Sequence, residues 1–404
     1  METLYTIGAI VACILLFSFA IFIHEFGHFI AARIFGLAVE TFSIGFGPAL
    51  WKKKIGDIEY RISAFPLGGY VALPQLDPEG TKGIQGSNGA PDAPTLPECP
   101  AWKRIIVAFA GPFGNIVLAV VLAFALAAVP DAHFGVLAAK IGYVPEDGPA
   151  AEAGLIADDE IKAVNGHAID SWVEMQTEIQ LTGGAECSFD VLRGGTNIVI
   201  SVTPKRDKVT GAYYILAVSK TNETHSVAWM PDRNPMKQLI WDAGQISRIV
   251  KALFTPGEAG AAAKALGGPV MIAQGLYHQV RSNVWDAFGF LRFLNVNLAI
   301  LNLLPFPVLD GGLILFALYE LLFRRRPNKK FTDIITRIFM YLLIALMLTL
   351  VWRDVARTVR VHRAGSKSLV DTVADERTNS VERASGAANT TNSVDNAGGA
   401  EKGK

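Results

Sequence analysis

The sequence predicts a polytopic α-helical membrane protein with four transmembrane helices, a small membrane-associated β-sheet and an inserted α+β domain. Of its 404 residues, 51% are hydrophobic and only 18% are charged. A mean hydropathy of +0.32 is too apolar for an ordinary soluble protein. Four apolar segments, each long enough to cross a bilayer, are separated by more polar sequence. Together these observations predict the fold class.

Charge and cysteine content narrow the class of protein. The 37 basic and 37 acidic residues cancel, so no global positive field favours a nucleic-acid partner. The three cysteines, Cys13, Cys99 and Cys187, lie far apart. An odd, scattered set indicates neither a disulfide framework nor a CxxC metal pair, and it does not identify the redox compartment.

Composition and periodicity divide the chain into nine segments. In order, they are a first transmembrane helix (residues 1–34), a β-element (38–73), a loop (76–100), a second transmembrane helix (102–130), a soluble domain (134–206), a helical connector (232–285), a third transmembrane helix (290–322), a fourth (334–352) and a tail (364–404). Each transmembrane prediction rests on about 20 mostly apolar residues. The first segment lacks the basic start of a signal peptide.

The segments between the apolar helices differ in composition. Stretches rich in β-forming residues, punctuated by glycines, predict the small sheet within residues 38–73. Pro, Gly and Asp predict a mobile cytoplasmic loop at 76–100, and small polar residues predict a disordered tail at 364–404. Apolar residues at helical spacing within 239–254 are compatible with a helix lying flat on the membrane or packed against the soluble domain. The sequence leaves both arrangements open.

Basic residues predict how the chain is oriented. Lys and Arg concentrate in the loops between spans one and two and between spans three and four, and such loops face the cytoplasm. Both termini and the soluble domain are then extracytoplasmic. Four basic residues after the fourth span disagree with this rule: Arg353, Arg357, Arg360 and Arg363.

The motif HEFGH in the first span predicts a zinc site. On a helix, His24 and His28 lie one turn apart on the same face, so both imidazoles can bind one tetrahedral zinc ion. Glu25 lies beside them as a general base for water. Ionisable side chains are costly in a membrane helix and mark a functional site. The alternative is that these residues simply begin a loop at the membrane edge.

A second motif, NLLPFPVLDGG at residues 302–312, interrupts the third span. Asp310 is a lone carboxylate in an apolar segment and supplies the third ligand that the two histidines lack. Pro305 and Pro307 prevent a regular helix, and irregular backbone at membrane depth lines a cavity or is buried in protein. Asn302 would hydrogen-bond a substrate backbone there or, alternatively, another helix. For Asp310 the alternative is a residue that merely ends the span.

The paired motifs resemble those of the site-2 protease family, in its bacterial RseP-type branch, and the likeness covers most of residues 1–355. Further matching segments are residues 43–48, 67–71, 102–104 and 110–115. By resemblance, His24, His28 and Asp310 bind one Zn²⁺ per chain, and Glu25 is the catalytic base. Leu313 stands where the family commonly has His, but this position is not one of the proposed zinc ligands.

The resemblance also implies contacts with substrate. Asn302 and Asn297 would touch the substrate directly. Gly68, Gly69 and Tyr70 would belong to a membrane-associated β-element that binds unwound substrate as an added strand, a common use of a free sheet edge.

One motif of the resemblance is assigned to helix packing. Gly111, Pro112 and Asn115 in the second span match a family pattern. Small residues allow helices to approach closely in a membrane, so we predict a structural role for this segment.

The soluble domain resembles a protease-associated PDZ domain, on residues 149–155 and 159–166. Asp158 stands where that family often has Gly. Two roles remain open: the domain binds a peptide C-terminus in a groove that begins near residues 134–137, or it only excludes bulky substrates by size.

The resemblance therefore implies an intramembrane protease of the bacterial inner membrane, with the PDZ domain outside and the active site towards the cytoplasm. Its substrates would be single-span membrane proteins already shortened on their outer side, such as an anti-sigma factor or a remnant signal peptide. Lipid is the other expected partner, nucleic acid is not expected, and the oligomeric state is open. A metal-dependent transporter and an inactive scaffold are the rival classes, and a Glu25→Gln variant separates them from a protease.

Overall fold

The computed structural model describes residues 2–76, 97, 99–129, 137–220 and 232–363. Most of the predicted loop at 76–100 and the whole predicted tail at 364–404 lie outside the described residues. The chain forms two compact units, which we call the helical unit and the β-rich unit. The helical unit comprises the described residues within Met1–Gly135, Val227–Val250 and Gly267–Trp352. The β-rich unit comprises the described residues within Val136–Ser226, Lys251–Leu266 and Arg353–Lys404.

The described strands all lie within residues 41–219, and the described C-terminal part of the chain is helical. In chain order, the elements are α1 (Glu2–Ile34), β1 (Thr41–Ile55), β2 (Ile58–Ala72), α2 (Ala101–Ala127), β3 (Ile141–Tyr143), α3 (Pro149–Glu152), β4 (Glu160–Val164), β5 (His167–Ala168), α4 (Trp172–Leu181), β6 (Cys187–Arg193), β7 (Thr196–Val202), β8 (Lys205–Arg206), β9 (Tyr213–Tyr214), β10 (Val218–Ser219), α5 (Pro235–Phe254), α6 (Ala259–Ala265), α7 (Pro269–Ser282), α8 (Val284–Asn302), α9 (Asp310–Phe323) and α10 (Lys329–Arg363).

Four of the described helices, α1, α2, α8 and α10, are long and apolar enough to cross a membrane. Within the helical unit, α2 packs against α1, α8 and α9. The first helix ends at a glycine cap: Gly36 adopts φ +73°, and the amide of Leu37 donates to the Ala32 carbonyl at 2.8 Å. This 6→1 bond is the Schellman ending of a helix, and it turns the chain from α1 towards the sheet.

The prediction of a single third span over residues 290–322 was wrong. The helix long enough to span a membrane is α8, which starts earlier, at Val284, and stops at Asn302. A separate helix, α9, begins at Asp310. The intervening segment contains Pro305 and Pro307, which lack the amide donors that a continuous helix needs. Asp310 is therefore the first residue of a new helix rather than a residue within a span.

The fourth predicted span, residues 334–352, lies within a longer helix. α10 runs for 35 residues, which at about 1.5 Å per residue exceeds the thickness of a bilayer core of about 30 Å. Arg353, one of the basic residues that disagreed with the orientation rule, donates to the carbonyls of Ala263 (3.0 Å) and Leu266 at the C-terminal end of α6. Basic side chains often satisfy such terminal carbonyls, so this arginine has a structural use within the β-rich unit.

Two long strands occupy the region where the sequence predicts a small sheet. β1 bends, so that its first residues, Thr41 to Ile44, pair on one side with Glu59 to Ile62 and on the other with Gly69 to Ala72. Its second half pairs with the start of β2. In the described pairings, Gly69 to Ala72 therefore has a strand on one side only. The sheet packs against α1.

The β-rich unit contains a four-stranded antiparallel sheet of order β5-β4-β6-β7, and α4 packs against β4. The predicted boundary of 134–206 was too short at its C-terminal end. Ile215 is buried in the core, its carbonyl accepts from Ala150 at 2.8 Å, and β10 pairs with β3. The last strands have only two residues each, so they carry no alternation that a sequence pattern can reveal.

Asp158 illustrates how this unit departs from the resemblance that predicted it. Its φ of +70° lies in the left-handed region, which explains why glycine is common at this position and why Asp is tolerated. The side chain lies 3.3 Å from Lys140 and also pairs with Lys220. Hydrogen bonds from these lysines lower the pKa of the Asp158 carboxyl.

The connector at 232–285 is three helices, α5 to α7, and neither predicted arrangement describes all of it. The end of α5 packs with α6 in the β-rich unit, where Leu181, Ala252 and Ala262 form a small apolar cluster. The start of α5 instead belongs to the helical unit. There Asp242 accepts two hydrogen bonds from Arg292 of α8, at 2.6 and 3.0 Å, and both side chains are fully buried.

We expect Asp242→Leu to destabilise the helical unit by about 3–5 kcal/mol, because it leaves the Arg292 charge buried without its carboxylate. The double variant with Arg292→Leu should regain most of the loss, since a buried ion pair is often replaceable by apolar residues. Denaturant unfolding of the purified chain in detergent measures both. Lys237→Ala, which breaks an exposed pair between α5 and Asp232 just before that helix, should cost less than about 1 kcal/mol. Equal losses for the two single variants would contradict this account.

Candidate metal centre

Three side chains from two helices converge within the helical unit. His24 and His28 project from the same face of α1, and Asp310 begins α9. The Nε2 atoms of the two histidines lie 3.3 Å apart. The carboxylate of Asp310 places Oδ2 at 3.2 Å from His24 Nε2 and Oδ1 at 3.4 Å from His28 Nε2. The two motifs, which are far apart in sequence, thus meet at one point.

The donor set fits a zinc ion. Nitrogen and oxygen ligands bind zinc at about 2.0–2.1 Å, and the corners of a tetrahedron of that size are about 3.3–3.4 Å apart. The three observed separations, 3.2 to 3.4 Å, match that edge length. Two imidazoles and one carboxylate also leave a fourth corner, which is the composition of catalytic rather than structural zinc sites. The side chains are at most 15% exposed, so the cluster is largely shielded from water.

Close backbone packing sets the position of Asp310. A Cβ at Gly311 would lie 2.3 Å from the Leu304 carbonyl oxygen, and one at Gly312 would lie 2.2 Å from that of Phe306. Only glycines therefore allow the first turn of α9 to fold back onto the Pro-containing segment. At its other end α9 is held to α2 by an ion pair between Glu320 and Arg104. The aspartate is fixed from both sides.

Glu25 lies beside the three ligand residues, close enough to interact electrostatically with all of them. The segment from Gly69 to Ala72, which is paired on one side only in the described sheet, passes next to Glu25. A Cβ at Gly69 would lie only 3.2 Å from Glu25 Cγ. The sheet edge and the predicted base are therefore in direct contact.

The other predicted substrate contacts are placed differently. Asn302 ends α8 with its Nδ2 at 3.5 Å from His24 Nε2, so it lies at the metal centre. Asn297 donates to the Phe293 carbonyl at 2.7 Å and is engaged within its own helix. Gly68 packs under the ring of Phe46, which stacks on Tyr70. Gly68 and Tyr70 therefore shape the strand beside the site.

The floor of the site is a glycine surface on α2. A Cβ at Gly111 would lie 2.2 Å from His28 Nε2, and one at Gly114 would lie 2.8 Å from the Ile23 carbonyl oxygen. On the facing helix, a Cβ at Gly27 would lie 2.2 Å from the Ala110 carbonyl oxygen. These glycines let α1 and α2 approach closely, as small residues do between membrane helices.

Gly111→Ala should displace the His28 ring and lower zinc affinity by at least about tenfold, since contacts that merely support a ligand are worth about 10–100-fold. Chelator competition on the purified chain measures the affinity. Gly8→Ala in α1 is the control, because a Cβ there meets no atom within 4 Å. A Gly111→Ala chain that holds zinc as tightly as the native chain would contradict this placement.

Sequence reasoning missed how α2 contributes to the site. The Val107 carbonyl lies 2.8 Å from His28 Nδ1, and Asn115 Nδ2 lies 3.2 Å from His24 Nδ1. The motif at 110–115 was predicted to pack helices, which Gly111 and Gly114 do. A buried Asn within an apolar span was the available signal for more than packing.

Residues 12–346 match the model of a known family, described as peptidase family M50. The chain belongs to this family. It is a site-2-type zinc metalloprotease and a membrane protein, and the resemblance stated above is confirmed. The match spans both motifs that carry the candidate metal ligands and the sheet between the first two helices.

Relatives in several bacteria support this membership over most of the chain. A protein of Campylobacter jejuni, provisionally named a zinc metalloprotease, is 32% identical over 355 residues, 86% of this chain and 93% of its own. A similarly named protein of Clostridium perfringens is 29% identical and matches 86% of this chain and 98% of its own. One of Helicobacter pylori is 30% identical and matches 78% of this chain and 89% of its own. A solved PDZ domain from Listeria monocytogenes is 24% identical, covers 23% of this chain and 94% of its own, and has a TM-score of 0.19. One from Listeria innocua is 23% identical, covers 22% of this chain and 99% of its own, and also has a TM-score of 0.19.

Proposed function

We propose that this protein hydrolyses peptide bonds in or next to the transmembrane segment of other membrane proteins, with one zinc ion held by His24, His28 and Asp310. The observation that carries the proposal is the convergence of their three donor atoms at 3.2 to 3.4 Å, with Glu25 alongside. A bound zinc ion would supply a Lewis acid that polarises the scissile carbonyl and acidifies water.

The chain's own residues perform the proton transfers. Glu25 takes a proton from the attacking water and later delivers it to the leaving amine, because it is the carboxylate next to the site that binds no metal in this proposal. The backbone at Gly69 packs against the Glu25 side chain and helps to hold it in place. Asn302 hydrogen-bonds the substrate beside His24, which agrees with its position at the end of α8.

The sheet edge would present the substrate. A helical substrate hides its carbonyls in i→i−4 hydrogen bonds and must unwind before attack. The strand from Gly69 to Ala72 has one paired side in the described sheet and passes Glu25, so an extended peptide added to its other side would run past the base. Gly68 and Tyr70 would shape this edge.

The β-rich unit would act as a PDZ domain that restricts access. We propose that it lies on the extracytoplasmic side of the bacterial inner membrane and that the metal centre lies towards the cytoplasmic side. The distribution of basic residues in the short loops supports this orientation. The substrates would be single-span proteins already shortened outside, such as an anti-sigma factor or a remnant signal peptide.

The test is a comparison of membrane fragments in cells that carry the native chain or its Glu25→Gln variant. We expect shortened single-span proteins to accumulate only with the variant, and their ends would identify the substrate class. Identical fragment populations in the two strains would refute the proposal.

A further inference from the structure

Asn115 makes an unusual contact with one of the ligand histidines. It lies on α2, is fully buried, and places its Nδ2 at 3.2 Å from His24 Nδ1. Its Oδ1 is also buried and has no hydrogen-bond partner within the described part of the chain. A buried amide with one end against a ligand ring and the other end unbonded needs an explanation beyond packing.

The proposed zinc centre determines which nitrogen of His24 carries a proton. Its Nε2 faces Asp310 and His28, so Nε2 is the metal-binding atom and the neutral ring carries its hydrogen on Nδ1. That hydrogen needs an acceptor. For His28 the acceptor is evident, because its Nδ1 lies 2.8 Å from the Val107 carbonyl, which can only accept.

For His24 the nearby group is the Asn115 amide, whose nitrogen and oxygen exchange places by a half-turn about its terminal bond. With Nδ2 towards the ring, a metal-binding His24 would face donor against donor. The half-turn converts this contact into a hydrogen bond from His24 Nδ1 to Asn115 Oδ1. No hydrogen bond of Oδ1 within the described residues opposes the rotation.

We propose that Asn115 is a positioning residue that accepts the Nδ1 hydrogen of His24 and thereby fixes the tautomer and orientation of this ligand. The inference rests on the zinc centre proposed above. In this proposal α2 orients both histidines: the Val107 carbonyl orients His28, and the Asn115 side chain orients His24. Such second contacts are usual for metal-binding histidines, and their loss costs about 10–100-fold in metal affinity.

Two substitutions of nearly equal size distinguish positioning from packing. Asn115→Asp keeps an acceptor next to His24, whereas Asn115→Leu removes it and fills the same space. Positioning predicts that zinc affinity, measured by chelator competition on the full chain in detergent, falls about 10–100-fold for Leu and much less for Asp. Packing predicts the reverse order, because a buried leucine is tolerated better than a buried charge.

Leu118→Ala is the matched control, since it removes a buried side chain from the same helix one turn away and should leave zinc affinity unchanged. The visible spectrum of the Co²⁺-loaded chain gives a second readout, which should change for Asn115→Leu and stay native for Leu118→Ala. A native chain that binds no zinc would overturn the proposed function together with this inference. A native chain that binds zinc, beside an Asn115→Leu chain of equal affinity and unchanged Co²⁺ spectrum, would overturn this inference alone.

Discussion

Glu25→Gln is expected to reduce proteolysis by about 10²–10⁴-fold while the zinc content stays native, because a general base typically contributes that much to the rate. Glutamine has nearly the same shape as glutamate but cannot take a proton from water. Purified chain in detergent, a single-span substrate and metal analysis of the same sample provide the two measurements. The residual rate and the zinc stoichiometry must be measured together, because only their combination identifies a base.

Glu40→Gln is the matched control, since Glu40 is an exposed residue between α1 and β1. It should change neither rate nor zinc content. A Glu25→Gln chain that cleaves at the native rate would exclude Glu25 as the base. Loss of zinc in that variant would instead mean that Glu25 supports the metal. A transporter or a scaffold built on the same residues would keep its activity in this variant.

Asp310→Asn is expected to lower zinc affinity by more than about 100-fold and to abolish proteolysis with it, because supporting contacts alone are worth about 10–100-fold and Asp310 is proposed as a direct ligand. Its two oxygens lie against both histidine Nε2 atoms, at 3.2 and 3.4 Å. Removing the negative charge leaves two neutral ligands for a divalent ion. Chelator competition on the purified chain measures the loss.

Asp57→Asn provides the comparison, because Asp57 lies in the exposed turn between β1 and β2. Its zinc affinity and activity should equal those of the native chain. An Asp310→Asn chain that retains native zinc affinity would show that the carboxylate is not a ligand. Activity lost with zinc fully retained would give Asp310 a role in the reaction instead.

Local patterns were sufficient to place the two histidines of α1 on one face and to predict the interruption before α9. The helical repeat places residues four apart on one face, so HEFGH presents both histidines together whatever surrounds it. Pro305 and Pro307 break a helix by their own covalent structure. Apolar length predicted where four helices would lie, although the boundaries of the third and fourth shifted, because the ends of a helix depend on its packing and on the residues that flank it.

Contacts across the chain were beyond such patterns. The partner of His24 Nδ1 is 91 residues away on α2, and the partner of Asp242 is 50 residues away on α8. The last strands of the β-rich unit have only two residues each, so no periodic pattern in the sequence could predict them. Each of these contacts depends on which helix or strand packs against which.

By itself, the sequence determined the chemical groups at the site, a pair of imidazoles, a neighbouring glutamate and a lone aspartate, because local backbone geometry is encoded residue by residue. Only the tertiary structure decided that α2 brings the Val107 carbonyl to Nδ1 of His28 and the Asn115 amide to Nδ1 of His24. It also decided that a sheet edge passes Glu25. The contacts of α2 arise from the close approach of α1 and α2 at glycines, and the contact of the sheet edge arises at Gly69. Each is a property of two surfaces together rather than of either segment.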